Sequence, residues 1–266
     1  MRNYSIPMFM EAPVVPGLTE DRQEQLNELV AEWQLHWPRN LLRQAYMDMK
    51  NQLDYIGDSV PPEVARDLDI VSGWPEQVVF GLSNLMQWQG VVSLNGQEDP
   101  FGLAQVLHDN RFDVELPQAI NSGMTLSPSF ITTTLNSSPL DPDVVVTATS
   151  AMWSTAAWSR RTRSISAGLL VNSVDGLGLP NSMTMLDRQA IYDMERDEHG
   201  WHLTGLNYHH LPRCPMEPLP YRPSLDRPFG RSRLNRAVLS ITDRAVRASM
   251  RYDVGGDLFT APGRLL

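Results

Sequence analysis

Five potential metal ligands, His199, His202, His209, His210 and Cys214, fall within 16 residues. Imidazole with thiolate is the donor set zinc prefers, so a zinc-dependent hydrolase using His209, His210 and Cys214 is one chemistry to weigh. The spacing opposes it. On a strand, adjacent His209 and His210 point to opposite faces, and Cys214, the only cysteine, has no CxxC partner. Ser232 lies in Gly230-Arg231-Ser232-Arg233-Leu234, a nucleophile elbow lacking its second glycine, and reads better as a helix cap. Lys50, the only lysine, has no phosphate-binding loop upstream, and Gly176 with Gly178 make a turn rather than a dinucleotide loop. The acidic run Asp193, Glu195, Asp197, Glu198 lacks calcium-loop spacing. These residues predict no enzyme, no metal and no other cofactor.

Arginine is the remaining chemistry. Residues 222–251 hold eight arginines against Asp226 and Asp243, a net of +6. The chain is electrically two-ended: residues 1–159 carry 7 basic and 20 acidic side chains (−13), and residues 160–266 carry 15 and 11 (+4), for −9 overall. The planar guanidinium suits fixed, bidentate pairing with carboxylate or phosphate, while the overall charge opposes casual nucleic-acid binding. On a helix starting at Ser232, Arg233, Arg236, Arg244, Arg247 and Arg251 share an arc of roughly 80°. Leu234, Val238, Ile241, Ala245 and Tyr252 form an apolar stripe on one side, and Leu239, Val246 and Met250 a narrower one on the other. Two apolar stripes flanking a charged seam suit a helix wedged between copies of itself. The alternative is a solvated face on a terminal helix.

The elements positioning these residues predict an α+β fold. Thr19 caps a first helix bearing Leu26, Leu29, Val30, Trp33 and Trp37, which Pro38 ends or kinks; a second runs through Leu41, Leu42, Ala45, Tyr46, Met49 and Leu53 to a turn at Tyr55-Ile56-Gly57-Asp58. After the extended Pro61-Pro62 link, Pro75 opens a third helix burying Val78, Val79, Leu82, Leu85 and Met86. Two more helical pieces cover 101–110 and 114–126, with Pro117 in the first turn of the latter. Strands are predicted at 130–135, 144–149, 164–174, 182–186, 190–195 and 201–206, forming a small antiparallel meander with connectors at Asp175-Gly176-Leu177-Gly178 and Asp197-Glu198-His199-Gly200. A proline-dense connector follows, from Pro212 to Pro228, and then the arginine helix, stopped by Gly255-Gly256. With 42% apolar residues a packed core is expected; the lone cysteine and the lack of a secretory h-region predict folding in a cytoplasm, and no run is long enough for a membrane span.

Several stretches, in order, resemble the portal proteins of tailed phages, closest to the group from phages of actinobacteria. They are Val60-Pro61-Pro62-Glu63, Val71-Ser72-Gly73-Trp74-Pro75, Asp109-Asn110-Arg111-Phe112-Asp113, Trp158-Ser159-Arg160-Arg161-Thr162-Arg163, Tyr221-Arg222-Pro223, and Arg227-Pro228-Phe229-Gly230-Arg231-Ser232-Arg233 leading to Phe259-Thr260-Ala261-Pro262. The resemblance implies a structural protein forming a ring of twelve at one capsid vertex. Double-stranded DNA passes through it without sequence-specific binding during packaging and ejection. Terminase large subunit, head-completion or adaptor proteins, and capsid and scaffolding proteins are the implied partners. Its implied place is the virion, after assembly in the host cytoplasm. Residues 1–17 would be an arm, 18–227 a wing-like α+β domain, 228–256 a stem-like helix, and 257–266 the start of a clip region. The arginine seam would then face neighbouring subunits or the channel. Portal chains continue through clip, second stem helix, tunnel loop and crown, so this chain is expected to be an N-terminal portion, or the product of a truncated or decayed portal gene or other phage adaptor.

Overall fold

The computed structural model describes residues 10–51, 71–91, 99–136 and 142–260. Expectations for Leu53, the Tyr55 to Asp58 turn, the Pro61-Pro62 link, the Val60 to Glu63 motif and Ala261-Pro262 lie outside the described residues. Mixed helix and antiparallel sheet, with a C-terminal helix, is what the chain forms.

Helix α1 spans Glu20–Met47, with Thr19 at its N-cap and Glu20 and Asp21 in its first turn. Pro38 does not end the helix. A proline inside a helix costs about 3 kcal/mol, and contacts on both sides of it offset that. Trp37 is 6% and Tyr46 7% exposed. Asn40 Nδ2 donates to the Ala151 carbonyl at 2.9 Å, and the Tyr46 hydroxyl donates to Asp243 Oδ1 at 2.6 Å. The two predicted helices are therefore one, ending where Met49 turns left-handed at φ 56°.

Helix α2 (Trp74–Ser83) carries Pro75 in its first turn and fully buries Val79. It stops before Leu85 and Met86, which are exposed rather than buried as expected. Helices α3 (Leu103–Asp109) and α4 (Phe112–Thr125) follow. Because α4 begins two residues earlier than predicted, Pro117 falls in its second turn.

The strands form two sheets, not one meander. Strands β3 (Ser154–Ser159), β4 (Ser164–Val174), β5 (Pro180–Leu186), β6 (Ala190–Asp197) and β7 (Gly200–Tyr208) make a five-stranded antiparallel meander. Strands β1 (Ser129–Leu135), β2 (Val144–Ser150) and β8 (Met216–Leu219) make a second sheet in the order β2-β1-β8. Sequence reading misses β3 and β8. The latter lies in the proline-dense connector, where Pro218 is tolerated because β8 is an edge strand. Asp175 and Asp197 shape the two expected hairpin turns, accepting backbone N–H groups from Leu177 and His199 at 2.8 and 2.7 Å.

One face of the meander packs against α1, joining Leu26, Leu29, Val30, Trp33 and Trp37 to Leu169, Val171, Met183, Met185 and Met194. On the opposite face Ile165 and Leu186 meet Phe130, Cys214 and Met216 from the smaller sheet and the segment before β8. A bulge puts both faces to use: pairing steps from Trp158–Ile165 to Ala157–Ala167, so the extra residue sends Ile165 and Ala167 to opposite cores. A third cluster, Val79, Met124 and Leu234 with Met47, Leu82, Ile120, Val238 and Leu239, ties α1, α2 and α4 to the last helix.

That last helix, α5, spans Arg236–Thr260. Asn235, not Ser232, caps it, accepting the Ala237 and Val238 N–H groups at 2.9 and 3.2 Å. Gly255 and Gly256 do not stop it; both lie within the helix.

Candidate functional site

The segment leading into α5 is locked by its backbone. Gly230 has φ +74°, and a Cβ there would overlap the Tyr221 carbonyl oxygen. The Arg231 N–H donates to that same oxygen at 2.8 Å. Ser232 is buried: its hydroxyl donates to the Thr125 carbonyl at 2.5 Å and accepts the Leu234 N–H at 2.9 Å. Both capacities are used in fixing this junction to the end of α4, which accounts for the serine without any catalytic role.

The expected arginine stripe is shorter than predicted. Because α5 starts at Arg236, Arg233 and Leu234 precede it. Arg233 turns inward, donating from Nε to the Val78 carbonyl at 2.7 Å and from Nη1 to the Tyr221 hydroxyl at 2.9 Å, and Leu234 is 1% exposed in the third core cluster. On the helix, Arg236, Arg244 and Arg251 are exposed and Arg247 is half-buried. Of the two apolar stripes, the one carrying Leu239, Val246 and Met250 faces inward and extends to Val254. The other is divided. Val238 and Ala245 are half-buried, while Ile241 and Tyr252 are 53% and 81% exposed. A narrow apolar strip thus lies open beside Arg244 and Arg251.

A larger feature was not predicted. Between the C-terminal half of α1, α2 and the segment from Tyr221 to Asn235 lies an open cleft of about 1080 Å³. Arg39, Arg43, Arg222, Arg227, Arg231, Arg233 and Arg236 line it, and among the described residues no carboxylate does. None of the seven is ion-paired among the described residues. Arg43 donates to the Leu126 carbonyl at 2.5 Å; burial, and then the neighbouring Arg39 charge, lower its pKa to about 10. Concentrated positive charge with unused N–H donors favours an anion. The sequence signal was available in the spacing of Arg39 and Arg43, which share one face of α1, but their meeting with arginines almost 200 residues later depends on the fold.

The histidine and cysteine candidates are dispersed. Among the described residues no three His, Cys, Asp or Glu side chains are placed to hold one metal ion. His199 and His202 flank Asp197 at 3.9 and 3.8 Å on an exposed hairpin end. His209 Nε2 lies 3.1 Å from the Asp187 carbonyl oxygen. Cys214 is 1% exposed, and burial, with the Asp187 charge second, pushes its thiol up to about 12. A thiol held protonated is a poor nucleophile at neutral pH.

In comparisons with known proteins, no protein-family model matches this chain, and no curated protein matches it.

Proposed function

We propose that the chain is a structural subunit that assembles with copies of itself, and specifically a subunit of a phage portal ring. Such a ring conducts double-stranded DNA through one capsid vertex and engages terminase, head-completion, capsid and scaffolding proteins. The observation that carries the reading is the strip of Ile241 and Tyr252 lying open beside Arg244 and Arg251, on a helix whose other apolar stripe is already buried. With one apolar stripe of the helix already buried in its own core, Ile241 and Tyr252 are left for another surface to cover. The ordered motifs that end in the clamped Gly230-Arg231-Ser232-Arg233 junction support the family assignment.

Sedimentation velocity over a concentration series tests it. The wild-type protein should form discrete oligomers, and Ile241→Asp should weaken self-association by at least about tenfold, as expected for a charge placed in an apolar contact. Arg244→Glu should impair assembly if the seam lies between subunits; unchanged assembly with altered DNA retention would put that seam on the channel. A wild-type protein that stays monomeric at high concentration would overturn the reading.

A further inference from the structure

The seven-arginine cleft has a counterpart on the same molecule. Glu20, Asp21, Glu24 and Glu28 are exposed on the first turns of α1, and none is ion-paired among the described residues. At 100° per residue they fall within an arc of about 100°, forming one acidic face. Glu32 prolongs it, although His36 already meets that carboxylate at 2.6 Å. The acidic face cannot reach its own molecule's cleft: Glu24 and Arg43 lie on one continuous helix, 19 residues and so about 28 Å apart.

We propose that the acidic first turns of α1 of one copy seat in the arginine cleft of the next. The inference rests on the self-assembly reading above and names the surfaces that would carry it. The other side of these turns, with Leu26, Leu29 and Val30, is buried in its own core, so the exposed carboxylates, and not the helix body, would enter the cleft. Carboxylates entering the cleft would give Arg43 a counter-charge that no described residue supplies, where burial beside another cation now lowers its pKa. Planar guanidinium forks suit bidentate carboxylate pairing. The contact joins two different patches, so it is head-to-tail, the kind of contact that closes a ring or extends a filament. A nucleic-acid occupant is disfavoured by the net charge of −9, and of −13 over residues 1–159.

Charge exchange tests the proposal. One variant carries Arg231→Glu and Arg236→Glu, both exposed, with the second placing an acid at a helix N-terminus where the dipole favours it. The other carries Glu24→Arg and Glu28→Arg on the exposed face of α1. Circular dichroism and thermal melts establish that both fold; should either fail, the single substitutions Arg236→Glu and Glu24→Arg replace the pairs. Each variant alone should self-associate at least about tenfold more weakly than wild type, because the cleft falls from seven arginines to five opposed by two glutamates, or the acidic face from four carboxylates to two opposed by two arginines. An equimolar mixture should recover pairwise assembly, since the first variant's unaltered acidic face then meets the second variant's unaltered arginine cleft, and 0.5 M salt should weaken both wild-type and mixed assemblies. Folded variants that assemble as wild type does, or a mixture that fails to recover, would overturn the proposal while leaving self-assembly through α5 standing. A wild-type protein that never associates would remove both. Binding of a fluorescein-labelled single-stranded DNA that is lost only in the Arg231→Glu, Arg236→Glu variant, with assembly unchanged, would assign the cleft to phosphates and overturn the proposal.

Discussion

Arg233 Nε donates to the Val78 carbonyl at 2.7 Å and so fastens the segment before α5 to the middle of α2. The same guanidinium reaches the Tyr221 hydroxyl and lies 5.4 Å from that ring's centroid. One side chain thus spans three parts of the chain. Arg233→Ala should lower stability by about 2–3 kcal/mol, from the loss of charge-assisted hydrogen bonds and ring contact. Arg233→Lys should recover less than half of that, because an ammonium cannot serve both acceptors with the same fixed fork. Urea unfolding of the two variants checks this; a cost below about 0.5 kcal/mol for the alanine would mean that the clamp contributes little.

Two glycines that look alike in the sequence should behave oppositely. At Gly230 the left-handed backbone and the adjacent Tyr221 carbonyl leave no room for a methyl group, so Gly230→Ala should destabilise by ~2 kcal/mol or more. Gly255 lies inside α5, and a Cβ there meets nothing within 4 Å. Gly255→Ala should therefore stabilise the protein by about 0.5–1 kcal/mol through helix propensity. Thermal unfolding should move the midpoint down for the first and up for the second. A destabilising Gly255→Ala would show that this glycine is needed for something other than helix geometry.

What the sequence revealed and what it concealed divide along the range of the interactions. Strand β4 was located residue for residue, and the hairpin turns at Asp175 and Asp197 were legible, because alternation and turn chemistry are local. Pro38 misled because its local preference lost to Asn40 and Tyr46, whose partners Ala151 and Asp243 are more than 100 residues away. Ser232 reads as a cap for a similar reason: nothing nearby announces that its hydroxyl is committed to the Thr125 carbonyl. The candidate site follows the same rule. The outward half of the arginine helix could be read from periodicity, whereas the cleft joins Arg39 and Arg43 to arginines of the last 50 residues and exists only once α1 and the connector have met.

Cys214 offers a test in which pH does the work. Its thiol is pushed up from 9.0 to about 12, first by burial and then by the Asp187 charge. An exposed thiol gains nearly tenfold in thiolate for each pH unit below its pKa and reacts accordingly. In the folded protein, iodoacetamide labelling of Cys214 at pH 7–9 should stay far slower than in 8 M urea, where one equivalent should react rapidly. The linkage to stability has a definite sign. With the folded-state pKa above the unfolded one, the neutral thiol contributes fully below about pH 9 and that contribution fades as the pH rises toward 12. Rapid stoichiometric labelling of native protein at pH 8 would mean that the core around Leu186, Phe130 and Met216 opens far more readily than its packing implies, and would return Cys214 to the pool of reactive groups.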